Sequence, residues 1–181
     1  MAELNMKIMV LGDIGVGKTA LIRRYVENEY IPDYKISVQL DFKQKQLKVG
    51  EDSLNLQLWD VPGNERFGGM TGVFYKYSHG AILAFDLARR ETFLSAAAWL
   101  TDYLTNMELV GDSETRLPVV LVGNKADVEN ITVASQEYNA WVDDNNIIAF
   151  YETSARDNTN VDIAVKVLVD HILATDSFFT K

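Results

Sequence analysis

The stretch Gly12-Asp13-Ile14-Gly15-Val16-Gly17-Lys18-Thr19 decides the fold of this chain. It has the spacing G-x-x-x-x-G-K-[ST], and it stands between an apolar segment that predicts a buried strand and a pattern that predicts a helix from about Lys18. Glycines let backbone N–H groups wrap a phosphate, and a helix start adds unpaired N–H groups. The stretch therefore predicts a phosphate loop, in which Lys18 supplies a charge and Thr19 a hydroxyl for Mg²⁺. Its candidate ligand-binding residues are Ile14, Gly15, Val16, Gly17, Lys18, Thr19 and Ala20.

Outward from this loop, apolar segments alternate with helical patterns. Nearly continuous apolar segments at 7–12, 80–86, 117–123 and 147–154 predict strands buried on both faces. Residues 37–49 and 53–60 predict an antiparallel hairpin, although the alternation in its first strand changes phase between Phe42 and Leu47. We expect an α/β fold of the P-loop NTPase type. Its mostly parallel six-stranded sheet has one antiparallel edge strand and helices on both faces, and ligands bind at the carboxyl ends of its strands.

Two helical patterns carry apolar faces. The first face consists of Phe93, Ala97, Leu100 and Leu104. The second consists of Val161, Ala164, Val165, Leu168, Val169 and Ile172. Both faces are expected to pack on the sheet.

Size and composition limit the possibilities further. The 181 residues contain no linker or repeat, so a single domain over 1–181 is expected, with 175–181 as the start of a truncated or absent C-terminal tail. A formal net charge of −9 argues against a nucleic-acid surface. The absence of cysteine excludes disulfides and thiol catalysis, and the apolar N-terminal segment is too short for a signal peptide or a membrane span.

A second motif, Asn124-Lys125-Ala126-Asp127, follows the apolar segment 117–123. A carboxylate at Asp127 can accept from both the ring N–H and the amine of guanine, a pair that adenine does not present. Asn124 would tie loops together, and the Lys125 stem would cover one face of the base. Residues 152–156, with Ser154, Ala155 and Arg156, would offer the Ala155 N–H to the guanine oxygen.

The phosphate motif alone leaves ATP and GTP open, and also a kinase, a motor or a switch. Together with Asp127 it favours a guanine-nucleotide site. A nucleotide kinase would need an arginine-rich lid and would give Asn124–Asp127 no role. A pseudo-GTPase that holds nucleotide as a non-catalytic scaffold remains the alternative to a switch.

The motifs at 12–19, 59–67, 124–127 and 152–156 stand in one order and spacing, and over about residues 6–174 the chain resembles the Ras superfamily of small GTPases and, within it, the Rab family. Segments 65–78 and 87–93 resemble the Rab subgroup that serves lysosome-related organelles. The resemblance implies a GTP/GDP switch with Mg²⁺ in vesicle trafficking, effector proteins, a guanine-nucleotide exchange factor and a GTPase-activating protein. It also implies a cytoplasmic protein that cycles to endosomal or lysosome-related membranes through a lipidated tail, which we expect to be truncated or absent in these 181 residues.

The resemblance also assigns residues to the first switch and to the effector surface. It places Tyr30 against the base, Tyr34 over the phosphates and Ser37 as a Mg²⁺ ligand, where the family usually has Thr. Gln39 replaces a usual glycine. The aromatic residues that would face effectors are Phe42, Trp59 and Phe74; for each of them the alternative is an ordinary packing residue.

The second switch, Trp59-Asp60-Val61-Pro62-Gly63-Asn64, departs from the family pattern. Asp60 would hold Mg²⁺ through a water, and the Gly63 N–H would meet the γ-phosphate. Asn64 stands where the family has the Gln that orients the attacking water, and its amide falls about 1.5 Å short. Ile14 would crowd the same water, and Pro62 narrows the loop's conformations. Asn64 and Ile14 together predict slow hydrolysis, whereas Pro62 could either stiffen the second switch or alter it. The candidate catalytic residues are Lys18, Gly63 and Asn64.

Overall fold

The computed structural model describes residues 3–32, 39–64, 71–108, 117–175 and 179. The strands are β1 Glu3–Leu11, β2 Asp41–Val49, β3 Asp52–Asp60, β4 Gly80–Asp86, β5 Val119–Asn124 and β6 Ala149–Glu152. The helices are α1 Lys18–Glu27, α2 Thr71–Tyr75, α3 Arg90–Leu94, α4 Ala96–Glu108, α5 Ser135–Asp144 and α6 Val161–Thr175. Among the described residues, no helix is long and apolar enough to cross a membrane.

The strands form one six-stranded sheet in the order β2-β3-β1-β4-β5-β6. All neighbouring pairs are parallel except β2 with β3. The predicted α/β class, with one antiparallel edge strand, is confirmed. Because β1 lies between β3 and β4, the loops that follow these strands converge at one end of the sheet, and the loop after β5 is next to them.

Each face of the sheet has its own apolar core. On one face, α1 and α6 pack on alternate residues of β1, β3, β4 and β5. On the other face, α2, α3, α4 and α5 pack on the intervening residues. All members of the predicted α6 face are buried, so that the 3.6-residue period identified this helix correctly.

The predicted hairpin is also present, and its change of phase has a structural cause. Leu47 and Val49 pack on the α1/α6 side of the sheet. Phe42 is displaced from Leu47 by an odd number of residues, so it faces the opposite side. There it stacks on Trp59, its cross-strand partner, with ring centroids 4.8 Å apart.

The predicted apolar face at Phe93, Ala97, Leu100 and Leu104 is only partly correct. The helical segment divides at Ser95 into α3 and α4, and Ala97 is exposed. The buried side chains of α4 are instead Ala96, Trp99, Leu100 and Tyr103. These residues have the i, i+3, i+4, i+7 spacing counted from Ala96, because α4 begins there as a separate helix.

We expect Ile172→Val to lower the free energy of unfolding by about 0.5–1.5 kcal/mol, because Ile172 is 1% exposed and the lost methyl leaves a void between α6 and the sheet. Ile163→Val is the matched control, since Ile163 lies on the same helix at 45% exposure and the same change there should cost less than about 0.5 kcal/mol. Urea unfolding of both variants measures the difference. Equal losses would contradict the assignment of the buried face.

Candidate functional site

The phosphate loop, residues 12–17, connects the end of β1 to the start of α1. Gly17 forms the helix N-cap with φ +99°, and as a glycine it supplies no capping side chain to the first turn. A Cβ at this position would lie 2.3 Å from Nδ2 of Asn124, so only glycine fits between the loop and β5. The first N–H groups of a helix have no partner within the helix, so the start of α1 at the end of this loop can serve as an anion site.

Lys18 is the buried cation of this loop. Its side chain folds back over the loop, and Nζ donates to the carbonyl oxygens of Gly12 and Asp13 at 2.8 and 3.0 Å. Burial lowers the pKa of Lys18 to about 8, although the carboxylates of Asp60 and Asp13 act in the opposite direction. An ammonium group held this way is placed to exchange carbonyl partners for a phosphate.

Thr19 and Asp60 bring hard oxygen ligands together beside the phosphate loop. The Thr19 hydroxyl donates directly to Oδ2 of Asp60, which lies at the end of the neighbouring strand β3. Mg²⁺ prefers such oxygens and typically takes only one or two protein ligands beside substrate phosphates. Within the described part of the chain, no group of three or more His, Cys, Asp or Glu side chains could hold a metal ion by itself. The pair Thr19 and Asp60 thus fits Mg²⁺ bound together with a phosphate.

Asn124 connects the phosphate loop to the loops on the β5 side, as the sequence predicts. Its Nδ2 donates to the Val16 carbonyl at 2.8 Å, and its Oδ1 accepts from the Thr153 hydroxyl at 3.2 Å. The residue is 2% exposed, so both bonds are shielded from water. This side chain fixes the distance between the phosphate loop and the segment 153–156.

Asp127 is oriented by its neighbours in the segment 153–156. The Ser154 hydroxyl donates to Oδ1 of Asp127 at 2.6 Å, and Arg156 Nη1 lies 3.7 Å from Oδ2. Ala155 is buried, and its carbonyl accepts from Arg24 Nε of α1 at 2.7 Å. The residues of the proposed base contacts therefore lie together, and Arg24 of α1 bonds to the segment that carries them.

Asp86 is a site residue that the sequence did not reveal. Its carboxylate, at the end of β4, accepts from Lys125 Nζ at 2.7 Å, Arg89 Nε at 3.0 Å and the Ala88 N–H at 2.9 Å. Burial alone would raise the pKa of Asp86, but these bonds outweigh it and hold the pKa below its ordinary value. The only sequence signal was an aspartate directly after the buried segment 80–85.

Asp13 and Trp99 form a second link that the sequence did not reveal. The indole N–H of Trp99, a fully buried residue of α4, donates to Oδ1 of Asp13 at 2.7 Å. Tryptophan N–H groups normally find an acceptor when buried. The phosphate loop is thereby fastened to α4 as well as to β5.

The second switch begins against the phosphate loop. A Cβ on Gly63 would lie 2.3 Å from the backbone nitrogen of Ile14, so the two backbones are in close contact. The Ile14 side chain is 40% exposed, Pro62 is buried, and Asn64 is exposed. The structure thus brings the Gly63 backbone against Ile14, and Asn64 is the next residue along the chain.

Tyr30 and Gln39 are exposed on either side of residues 33–38. Tyr34 and Ser37 lie outside the described residues. Their predicted roles at the phosphates and at Mg²⁺ stay predictions.

The three aromatic residues lie on the sheet face opposite α1 and α6. Phe42 stacks on Trp59 and is 42% exposed, whereas Trp59 and Phe74 are half-buried against the α2–α5 core. Lys7 joins them: its Nζ lies 4.2 Å from the Trp59 ring centroid and donates to the Phe74 carbonyl at 2.6 Å. These aromatic side chains therefore both pack and contribute to the surface.

Comparison with known proteins gives the class of this fold and site. The Ras family model matches residues 7–174. Rab-32A of Dictyostelium discoideum is 40% identical over 177 residues, which cover 96% of this chain and 80% of that protein. Rab-32 of Mus musculus is 38% identical over 175 residues, covering 96% and 78%. Rab-32 of Homo sapiens is 37% identical over 175 residues, covering 96% and 77%.

The chain therefore belongs to the Ras superfamily of small GTPases and, within it, to the Rab family, in the subgroup that contains Rab-32. The predicted resemblance is confirmed. This class consists of GTP-binding switches of vesicle trafficking.

Proposed function

We propose that this protein is a Rab-type switch that binds GTP and GDP with Mg²⁺ at the described site and hydrolyses GTP slowly. The observation that carries the proposal is the convergence of Lys18, the Thr19–Asp60 pair and the Asn124-linked base loop at one end of the sheet. In this reading Lys18 binds the β- and γ-phosphates, and Asp127 reads the base. Thr19 would hold Mg²⁺ directly and Asp60 would hold it through a water, with Ser37 as a further ligand.

Hydrolysis needs a water placed in line with the γ-phosphate. In the proposed mechanism the Gly63 N–H holds the γ-phosphate, while Mg²⁺ supplies positive charge that neutralises the phosphates. Asn64 would direct the water, but its amide is one methylene short of the usual Gln. Ile14, whose backbone lies against Gly63, narrows the space for the water with its side chain. Both features slow the reaction, so the protein would persist in its GTP state.

We further propose that effectors bind the surface around Phe42, Trp59 and Phe74, and that an exchange factor and a GTPase-activating protein set the cycle. The stacked and partly exposed Phe42–Trp59 pair supports this surface. The proposed location is the cytoplasmic face of endosomal or lysosome-related membranes. This location rests on the relationship to the Rab-32 proteins.

A switch must differ between its two nucleotide states, whereas a scaffold need not. Hydrogen exchange on protein loaded with GDP or with a non-hydrolysable GTP analogue distinguishes them. We expect increased protection of residues 61–64 and 71–75 with the GTP analogue, because loss of the γ-phosphate releases the loop. Identical exchange in the two states would favour the pseudo-GTPase scaffold.

Removal of Mg²⁺ is expected to accelerate GDP release roughly 10-fold, because the phosphates lose a neutralising charge. The measurement follows a fluorescent GDP after addition of EDTA. Excess Mg²⁺ added afterwards should restore the slow rate. A release rate that does not respond to EDTA would contradict the assignment of Thr19 and Asp60 to the Mg²⁺ site.

A further inference from the structure

Arg89 connects the end of β4 to the phosphate loop. Its Nε donates to Oδ2 of Asp86 at 3.0 Å, and its Nη2 donates to the carbonyl of Ile14 at 2.9 Å. The two contacts use two nitrogens of one planar guanidinium, so they connect the Ile14 carbonyl to the end of β4 through a single rigid group. Arg89 lies in the segment 87–93 that resembles the Rab subgroup, but the sequence did not reveal a role for it.

Asp86 is rigid enough to serve as the anchor of this contact. Its side chain is only 3% exposed, whereas that of Arg89 is 39% exposed. The carboxylate is held on its other oxygen by the Ala88 N–H at 2.9 Å. An exposed arginine is thus held by a buried carboxylate. The charge-assisted hydrogen bond between them offsets part of the conformational entropy that the arginine side chain loses when it is ordered.

The same carboxylate oxygen of Asp86 also accepts a hydrogen bond from the base loop, residues 124–127. Lys125 Nζ donates to Oδ2 of Asp86 at 2.7 Å, beside the bond from Arg89. Lys125 belongs to the proposed base-binding motif, and Ile14 belongs to the phosphate loop. One oxygen atom therefore lies between the two halves of the nucleotide site.

Arg89 is also electrostatically close to the phosphate pocket. Its positive charge is one of the charges that act on the buried ammonium of Lys18. Its removal would therefore change both the geometry and the positive potential that a polyphosphate experiences.

We propose that Arg89 is a positioning residue of the nucleotide site, which holds the phosphate loop at Ile14 in its nucleotide-binding shape through Asp86 and links it to Lys125 of the base loop. This proposal rests on the proposed function, since it concerns the retention of guanine nucleotide. Arg89 acts through the loop backbone and through Asp86. It is not assigned a contact to the reacting atoms.

The test is the rate at which the full chain releases a fluorescent GDP in excess unlabelled GDP. Arg89→Gln is expected to release it roughly 5- to 10-fold faster, as the loss of two charge-assisted hydrogen bonds at a partly exposed site suggests. Arg89→Lys should also be faster than wild type, because an ammonium has a single nitrogen and does not reproduce the rigid pair of bonds from Nε and Nη2. Wild-type release rates in both variants would overturn the proposal. A wild-type rate in Arg89→Lys alone would show that only the positive charge matters, and it would overturn the role of the two guanidinium hydrogen bonds.

Arg90→Gln is the matched control. Arg90 is the next residue along the chain, and its guanidinium pairs with Glu137 of α5 instead of the phosphate loop. Its variant should release the nucleotide within about twofold of the wild-type rate, because an exposed ion pair contributes little. Equal acceleration by Arg89→Gln and Arg90→Gln would show a general loss of positive charge and would contradict positioning by Arg89.

Asp86→Asn tests whether Arg89 acts through its anchor. In that background Arg89→Gln should add less than about threefold, because contacts that share a partner are not additive. An undiminished acceleration would overturn the link through Asp86. If Asp86→Asn does not fold, the comparison of Arg89→Gln, Arg89→Lys and Arg90→Gln decides the question.

The outcomes also separate this proposal from the proposed function. A folded wild-type protein that retains no guanine nucleotide would refute the proposed function. A wild-type protein that retains it, while Arg89→Gln releases it as slowly as Arg90→Gln does, would refute the positioning role alone.

Discussion

The double variant Ile14→Ser, Asn64→Gln is expected to hydrolyse GTP on the order of 100-fold faster than the wild-type protein. Gln at position 64 restores the length that lets the amide reach the attacking water. Ser at position 14 removes a branched side chain that is 40% exposed at the edge of the phosphate loop, where Gly63 contacts the Ile14 backbone. Single-turnover hydrolysis of preloaded GTP measures the rate without any contribution from nucleotide exchange.

The chain offers a matched control for this pair of changes. Asn130 and Ile131 are adjacent and exposed in the loop before α5, away from the contacts described for the site. Asn130→Gln with Ile131→Ser changes the composition identically and should leave the rate unaltered. Hydrolysis in the wild-type protein as fast as in the double variant would contradict the assigned effects of Asn64 and Ile14.

Asp127→Asn is expected to weaken GDP binding on the order of 1000-fold, because a site built to hydrogen-bond a polar group strongly rejects a mismatch. The carboxylate can accept two N–H groups from guanine. The Asn amide offers one acceptor and turns its own N–H₂ donors towards the remaining guanine donor. It also loses the charge that strengthens both bonds.

Equilibrium titration with fluorescent GDP measures this loss, and the diphosphate of xanthosine provides a positive counterpart. Xanthine has a carbonyl oxygen where guanine has an amine, so the Asn amide should bind it better than Asp127 does. Asp157→Asn is the control, since the Asp157 side chain is exposed near the same loops. Its Oδ1 lies 3.9 Å from Nε of Arg156. Unchanged GDP affinity in Asp127→Asn would show that the carboxylate does not read the base.

The sequence predicted those features that depend on local chemistry. Glycine at position 17 is required because the chain turns with a positive φ against Asn124, and the spacing of the motif already implied such a turn. The buried face of α6 followed from its 3.6-residue period alone, because a helix that packs on a sheet buries one apolar stripe. The mostly parallel sheet with one antiparallel edge strand followed from the buried apolar segments and one hairpin, whereas the order of its strands came only from the structure.

The remaining features depend on contacts between residues that are distant in sequence. Trp99 donates a hydrogen bond to Asp13, which is 86 positions away in the sequence. Trp99 also belongs to the buried face of α4, which differs from the predicted face. Arg89 lies 75 positions from Ile14 and reaches it only because β1 and β4 are neighbours in the sheet. No local pattern distinguishes this arginine from Arg90, whose side chain turns to α5. Such links become visible only when the fold is known.

The most direct test of the account is to identify the nucleotide that the purified protein carries. Acid denaturation followed by chromatography of the released nucleotide measures both its identity and its amount per chain. We predict a guanine nucleotide at close to one per chain, with GTP forming a larger fraction than in the Ile14→Ser, Asn64→Gln variant. An adenine nucleotide, or a folded protein that carries none and binds no added GDP, would contradict the account.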